Sequence, residues 1–138
     1  SLAIMIASSA VAQQAEKILV KSFNLKGNTI VLMDVKGNIE VKEHKRDFIR
    51  VQMAIELRNG TSSILCSLIK AKRYNLVGSV VDDHFVLNMP SLEKRVKVGG
   101  IELSEKVSYT VFAPSDVLVK LSNDTSASRL VGKNSSEL

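Results

Sequence analysis

The sequence predicts a mainly β domain with one α-helix, its antiparallel strands and hairpins forming a sandwich or the start of a β-solenoid. Three observations predict this class. From Ile18 onward apolar residues recur mostly at every second position, the period of a strand with one buried and one wet face. Short turn-forming stretches interrupt the alternation at Lys26-Gly27-Asn28, Lys36-Gly37-Asn38 and Asp82-Asp83, where Gly supplies the positive φ of a tight turn and Asp or Asn bonds its own backbone. Only the stretch from Ser63 to about Lys72 repeats its apolar residues at the helical period.

Each element follows from its own residues. The two Lys-Gly-Asn turns separate strands near 18–25, 29–35 and 39–43, and short connections of this kind normally join strands that lie side by side. Ile49, Val51, Met53, Ile55 and Leu57 alternate with Arg50, Gln52, Ala54, Glu56 and Arg58 in a long strand over 48–58. Asn59-Gly60-Thr61-Ser62 then breaks the alternation and offers helix N-cap side chains. In the helix that follows, Ile64, Leu65, Leu68 and Ile69 share one arc, and Lys70, Lys72 and Arg73 place positive charge at its C-terminal end. Strands over 74–81 and 84–89 flank Asp82-Asp83 as a hairpin, and Pro90 stops the second of them. A polar, basic connection over 91–100 leads to a strand whose Val107, Tyr109 and Val111 alternate with Ser108, Thr110 and Phe112. Val117, Val119 and Leu121 supply a last strand.

The ends differ from this body. Residues 1–12 carry no charge, run apolar through Leu2, Ile4, Met5 and Ile6, and finish Ala10-Val11-Ala12, the small-x-small pattern cut by a signal peptidase. We therefore expect a signal peptide remnant at 1–12, a single β-rich domain at 13–122 and a flexible tail at 123–138, whose Ser- and Asn-rich sequence has only Leu130 and Val131 to bury. The apolar start is about half the length of a spanning helix, so no transmembrane span is expected. Position 13 is Gln rather than the Cys that carries a bacterial lipoprotein's lipid. An apolar fraction of 45% and a charged fraction of 24% suit a globular core. Export tolerates disulfides, but Cys66 is the single cysteine, and its neighbours Ile64, Leu65, Leu68 and Ile69 mark it as a buried structural thiol.

No catalytic, cofactor-binding or metal-ligating residue is assigned, and no cofactor is expected. Asp82, Asp83 and His84 group metal-ligand types, yet both carboxylates are wanted by the turn, and adjacent strand residues point to opposite faces. Ser115-Asp116 follows Pro114 as a turn and lacks the Gly-x-Ser-x-Gly elbow of a hydrolase. Gly99-Gly100 has neither the buried strand before it nor the helix after it that a phosphate-cradling loop needs. The 19 basic and 14 acidic residues leave a net charge of +5, so nucleic acid deserves a test. The basic clusters at Lys42–Arg46, Lys70–Arg73 and Lys94–Lys97 sit in turns and at a helix end among few aromatics, which marks solvated turns and not a nucleic-acid face. The residual partner for such charge is an anionic surface polymer or a lipid headgroup.

Gly37-Asn38-Ile39-Glu40-Val41, the strand Phe48 to Leu57, the run Lys70 to Leu76, Asn88-Met89-Pro90 and Val107 to Pro114 together resemble the adhesin-like, β-rich domains of unknown function found in exported proteins of Gram-negative bacteria. The resemblance spans roughly residues 27–122 and rests on strand and turn signatures, with no site motif among them. It implies strands that continue into stacked β-solenoid rungs; of its "Val-Pro-x-x-Val-x-Val" pattern this chain has only Ala113-Pro114-Ser115-Asp116-Val117-Leu118-Val119. The expected function is an exported, non-enzymatic binding or adhesin-like module of the periplasm or cell surface whose partner is an envelope protein or a surface glycan. The alternative is a periplasmic scaffold or sensory partner that binds another envelope protein. Tyr, Asn and Asp clustered on one sheet face would point to glycan, and a bare apolar edge strand to protein.

Overall fold

A computed structural model describes residues 14–122; the expected leader at 1–12 and tail at 123–138 lie outside the described residues. Two four-stranded sheets face each other across one hydrophobic core. The first has the order β1 (Ala15–Asn24), β4 (Phe48–Leu57), β9 (Glu105–Ala113), β3 (Asn38–Glu43). The second has the order β10 (Leu118–Leu121), β2 (Ile30–Asp34), β6 (His84–Asn88), β5 (Val77–Val81). The expectation of a mainly β chain with a single helix holds.

Strict alternation decides which side chains meet in the core. Ile49, Val51, Met53, Ile55 and Leu57 of β4 are all buried, as are Val107, Tyr109, Val111 and Ala113 of β9. They pack against Val31 and Met33 of β2, Phe85 and Leu87 of β6, and Val119 and Leu121 of β10. The period of two thus puts every second residue of each sheet into one shared layer.

Two expectations about pairing are corrected. Consecutive strands do not lie side by side at the start of the chain: β1 pairs with β4, and β2 with β6 and β10. The Lys-Gly-Asn turns are corners that carry the chain from one sheet to the other, β1 to β2 and then β2 to β3. Pairing is also mixed and not uniformly antiparallel. β1·β4, β4·β9 and β5·β6 are antiparallel, and of these β5·β6 is a hairpin. β3·β9, β2·β6 and β10·β2 are parallel. Each parallel pair joins strands far apart in the chain, so no short turn specifies it. Gly37 makes one corner possible: its φ is +125°, and a Cβ there would stand 2.3 Å from the Val107 carbonyl oxygen. No residue with a side chain fits that approach.

The helix α1 (Ser62–Lys70) begins where the capping residues place it, with the Thr61 hydroxyl accepting from the Ile64 amide at 3.2 Å. It ends in a Schellman turn, with the Lys72 amide bonded to the Ile69 carbonyl and the Arg73 amide to the Leu68 carbonyl. Lys72 takes the left-handed position at φ +67°. Leu65 is fully buried, while Ile64, Leu68 and Ile69 are half-buried against the core. Cys66 is half-buried instead of buried, because it follows Leu65 by one helical step and so turns toward the flank. The segment expected as strand over 74–76 is irregular, with Tyr74 and Leu76 buried beneath it. The polar connection contains a 3₁₀ turn at Pro90–Glu93 and a small hairpin of β7 (Lys97–Val98) and β8 (Ile101–Glu102).

The helix stripe yields a direct check by thermal denaturation. Leu65→Ala should cost about 2–5 kcal/mol, the range for a buried leucine truncation, and Leu68→Asp should unfold or aggregate the chain. A soluble Leu68→Asp chain with an unchanged melting temperature would remove the stripe from the core.

Candidate binding surface

An ion pair held away from solvent joins the helix exit to the sheets. Arg73 is 7% exposed, so the expectation that every basic cluster is a solvated turn fails at this residue. Its Nε donates to Glu105 Oε2 at 2.8 Å and its Nη2 to Glu105 Oε1 at 2.7 Å, a bidentate fork. Nη1 donates to the carbonyls of Ser91 and Lys94 at 3.2 and 2.9 Å. The Tyr74 hydroxyl donates to the same Glu105 carboxylate. Desolvation alone would raise the Glu105 carboxyl, but the bonds from Arg73 and Tyr74 and the Arg73 charge outweigh it and hold the carboxyl below its ordinary range. The hydrogen bond from Arg73 to Glu105 outweighs desolvation and pushes the guanidinium up, so both partners stay charged. Burial and then the bond to Glu105 push the Tyr74 phenol up and keep it a donor. One side chain thus fixes the helix exit, the start of β9 and the 3₁₀ turn.

From that anchor the chain runs through buried Leu76 into β5, and a second tie sets its position. Lys21 on β1 donates from Nζ to the Leu76 carbonyl at 2.8 Å and to Asn75 Oδ1 at 3.2 Å. Inside β5, Gly78 lies over the edge-on pair Phe23 and Phe85, whose centroids are 5.9 Å apart. A Cβ at position 78 would come within 2.7 Å of the Phe85 ring. The hairpin turn is the expected one: Val81 pairs with His84, and Asp82 and Asp83 have φ of +48° and +66°.

β5 ends its sheet and has β6 as its one strand neighbour. Its sequence, Val77-Gly78-Ser79-Val80-Val81, carries no charge. The other three end strands of the two large sheets do: Glu16, Lys17 and Lys21 on β1, Glu40, Lys42 and Glu43 on β3, and Lys120 on β10. Val77, Val80 and Val81 are 36%, 48% and 51% exposed. The apolar surface continues across the outer face of the same sheet. Register sets Val86 of β6 beside Leu32 of β2, and Leu118 of β10 beside Ile30 of β2, all on the side away from the core.

His84 Nδ1 lies 2.8 Å from the Asp82 carbonyl oxygen, and among the described residues no three His, Cys, Asp or Glu side chains gather as a metal site would need. Ser115-Asp116 lies in the turn between β9 and β10, and Gly99-Gly100 forms the tip of the β7–β8 hairpin. Sequence reasoning missed Arg73 as an interior residue because its partner stands 32 positions away. It also left β5 unassigned as an edge, since edge and central strands share one alternation. The signal that could have found β5 is its lack of charge.

No protein family matches the sequence, and no curated protein matches it. Among solved structures, a "putative cell adhesion protein" from Clostridium sporogenes is similar, with a TM-score of 0.41 and 8% identity. The similarity covers 78% of this chain and 46% of that one. Among the described residues no helix is long and apolar enough to cross a membrane.

Two tyrosines, both buried, should behave oppositely. Tyr74→Phe removes a hydrogen bond to a charged acceptor and should cost about 1.5–3 kcal/mol. Tyr109 is also buried, but its hydroxyl has no partner among the described residues. Tyr109→Phe should therefore be neutral or raise the melting temperature.

Acid provides a further check on the ion pair. Because the folded Glu105 carboxyl lies below its ordinary value of 4.5, the stability it contributes is complete above that value and is lost as pH falls through the folded pKa. Glu105→Gln should lower stability at pH 7 and flatten the acid limb of the melting curve, measured by circular dichroism from pH 7 to pH 2.

Proposed function

We propose that this chain is an exported, non-enzymatic, adhesin-like module that binds a protein partner by strand addition at β5. One observation carries the reading: β5 is an uncharged, valine-rich end strand that continues into the apolar outer face of its sheet. Natural sheets usually guard such ends with lysine, proline or an inward-pointing charge. An unguarded end offers a row of backbone donors and acceptors to an incoming strand, with alternate side-chain positions for selectivity. Val77 and Val81 would receive side chains on the outer face, and Gly78 and Val80 those on the inner one, beside Phe23 and Phe85. Export is supported by the composition of residues 1–12 and by the resemblance to adhesin-like domains. A bare apolar edge favours a protein partner over a glycan at this place, whether that partner belongs to the same envelope or to another surface.

A photo-crosslinking residue at position 79, introduced in the native host, tests the reading against the same residue at position 40 on β3. The expected result is one protein captured from position 79 and not from position 40, with capture lost in a Val77→Lys/Val80→Lys chain that melts normally. Equal capture from both positions, or capture unaffected by the two lysines, would overturn it.

A further inference from the structure

We propose that the outer face of the first sheet, at the end formed by Lys42, His44, Arg46, Phe48, Arg50 and Phe112, binds an acidic polysaccharide. This surface lies on the sheet opposite to β5 and does not depend on the strand-addition reading.

Register builds it. Phe112 of β9 pairs with Lys42 of β3 on one side and Arg50 of β4 on the other. Because Val111, Ala113, Ile49, Val51 and Val41 point into the core, these three point outward. Strands are about 4.8 Å apart, so the two cations bracket the ring at roughly 10 Å. In the next row His44 meets Phe48 edge to face at 5.3 Å and stands 6.4 Å from Phe112. His44 Nε2 donates to the Phe48 carbonyl at 2.7 Å, which fixes the imidazole in place. The Arg46 guanidinium lies 5.6 Å from the Phe48 ring centre. Beside the rings, a recess of about 370 Å³ opens between the β3–β4 turn and Pro114–Ser115, with Lys45 and Arg46 on its walls.

Charge complementarity selects the occupant. Among the described residues the ion pairs use Arg58, Arg73 and Arg95, so Lys42, Lys45, Arg46 and Arg50 keep their charge for a ligand. In the recess Lys45 and Arg46 stand against Glu43 and Asp47, and on the sheet face Lys42 and Arg50 stand against Glu40, one outward row from Lys42, so the surface has four cations against three carboxylates and the positive excess lies beside Phe112. Half-exposed rings between such cations suit a ligand that alternates an apolar ring face with anionic groups, as the uronate or sulfated units of a polysaccharide do. Single-stranded nucleic acid needs rings presented as successive stacking platforms, whereas His44 and Phe48 stand at 86° to each other. A lipid surface needs apolar side chains that reach into the headgroup layer, and Phe48 and Phe112 are half-buried in a sheet.

The test uses the full chain and five probes in titration calorimetry: polygalacturonate, heparin, neutral dextran, a deoxythymidine 20-mer and phosphatidylglycerol vesicles. The expected result is binding to polygalacturonate or heparin, weakened by salt, with neither dextran, the 20-mer nor the vesicles binding as tightly. Lys42→Glu/Arg50→Glu should weaken that binding by about tenfold or more, and Phe112→Ala should weaken it several-fold at unchanged melting temperature. The Val77→Lys/Val80→Lys chain should bind as the parent does, which separates this surface from β5. Lys94→Glu/Lys97→Glu, in a separate exposed basic cluster, should also bind as the parent does. The proposal is overturned if that cluster matters as much as Lys42 and Arg50, if the 20-mer or the vesicles bind more tightly than the acidic polysaccharides, or if no acidic polysaccharide binds.

Discussion

The Arg73–Glu105 pair constrains the rest of the structure. A guanidinium and a carboxylate withdrawn from water are costly to bury, and their mutual attraction compensates only when the remaining donors are also satisfied. Here they are: Arg73 forks onto Glu105 and reaches two carbonyls of the loop before β7, and Tyr74 completes the carboxylate. Lysine could not replace arginine, because a point charge cannot hold a bidentate acceptor and two divergent carbonyls together. The pair therefore acts as a register device more than as a source of net stability. It selects the one arrangement in which α1, β9 and the 3₁₀ turn converge.

That convergence positions the surface proposed for protein binding. The Schellman turn directs Arg73 inward, Leu76 follows into the core, and Lys21 ties the carbonyl of Leu76 to β1. β5 then emerges already aligned on β6, with its free side outward. A strand end held from three directions is pre-organised, and an incoming strand would meet it without the entropic cost of ordering both partners. The two proposed surfaces use different physics. The β5 side offers backbone pairing and valine side chains, whereas the far face offers cations set around rings.

Much of the local structure is legible in the residues. Thr61 caps the helix, Asp82-Asp83 turns the hairpin, and the alternation of β4 predicts its buried face residue by residue. These features depend on neighbours in sequence, where hydrogen-bond and steric preferences act directly. Pairing was less legible. A Lys-Gly-Asn turn suits a hairpin or a corner between sheets equally well, and the choice at Gly37 depends on its close approach to Val107, 70 positions later in the sequence and invisible to local preference. The parallel pairs β2·β6, β3·β9 and β10·β2 likewise join strands far apart in the chain. The polar surface around Phe112 was half legible: the basic run Lys42–Arg46 stood out, but nothing in it shows that Arg50 and Phe112 join it.

A mainly β chain with one capped helix, the buried side of most strands and a net positive charge are all set by the residues and their near neighbours. Those properties are sums or short-range periodicities, so they survive any arrangement of the elements. Which strands end a sheet, which basic residue is interior and which cations gather around an aromatic ring emerge only on folding. Each of these depends on contacts between residues far apart in the chain, where burial and register, and not local propensity, set the free energy.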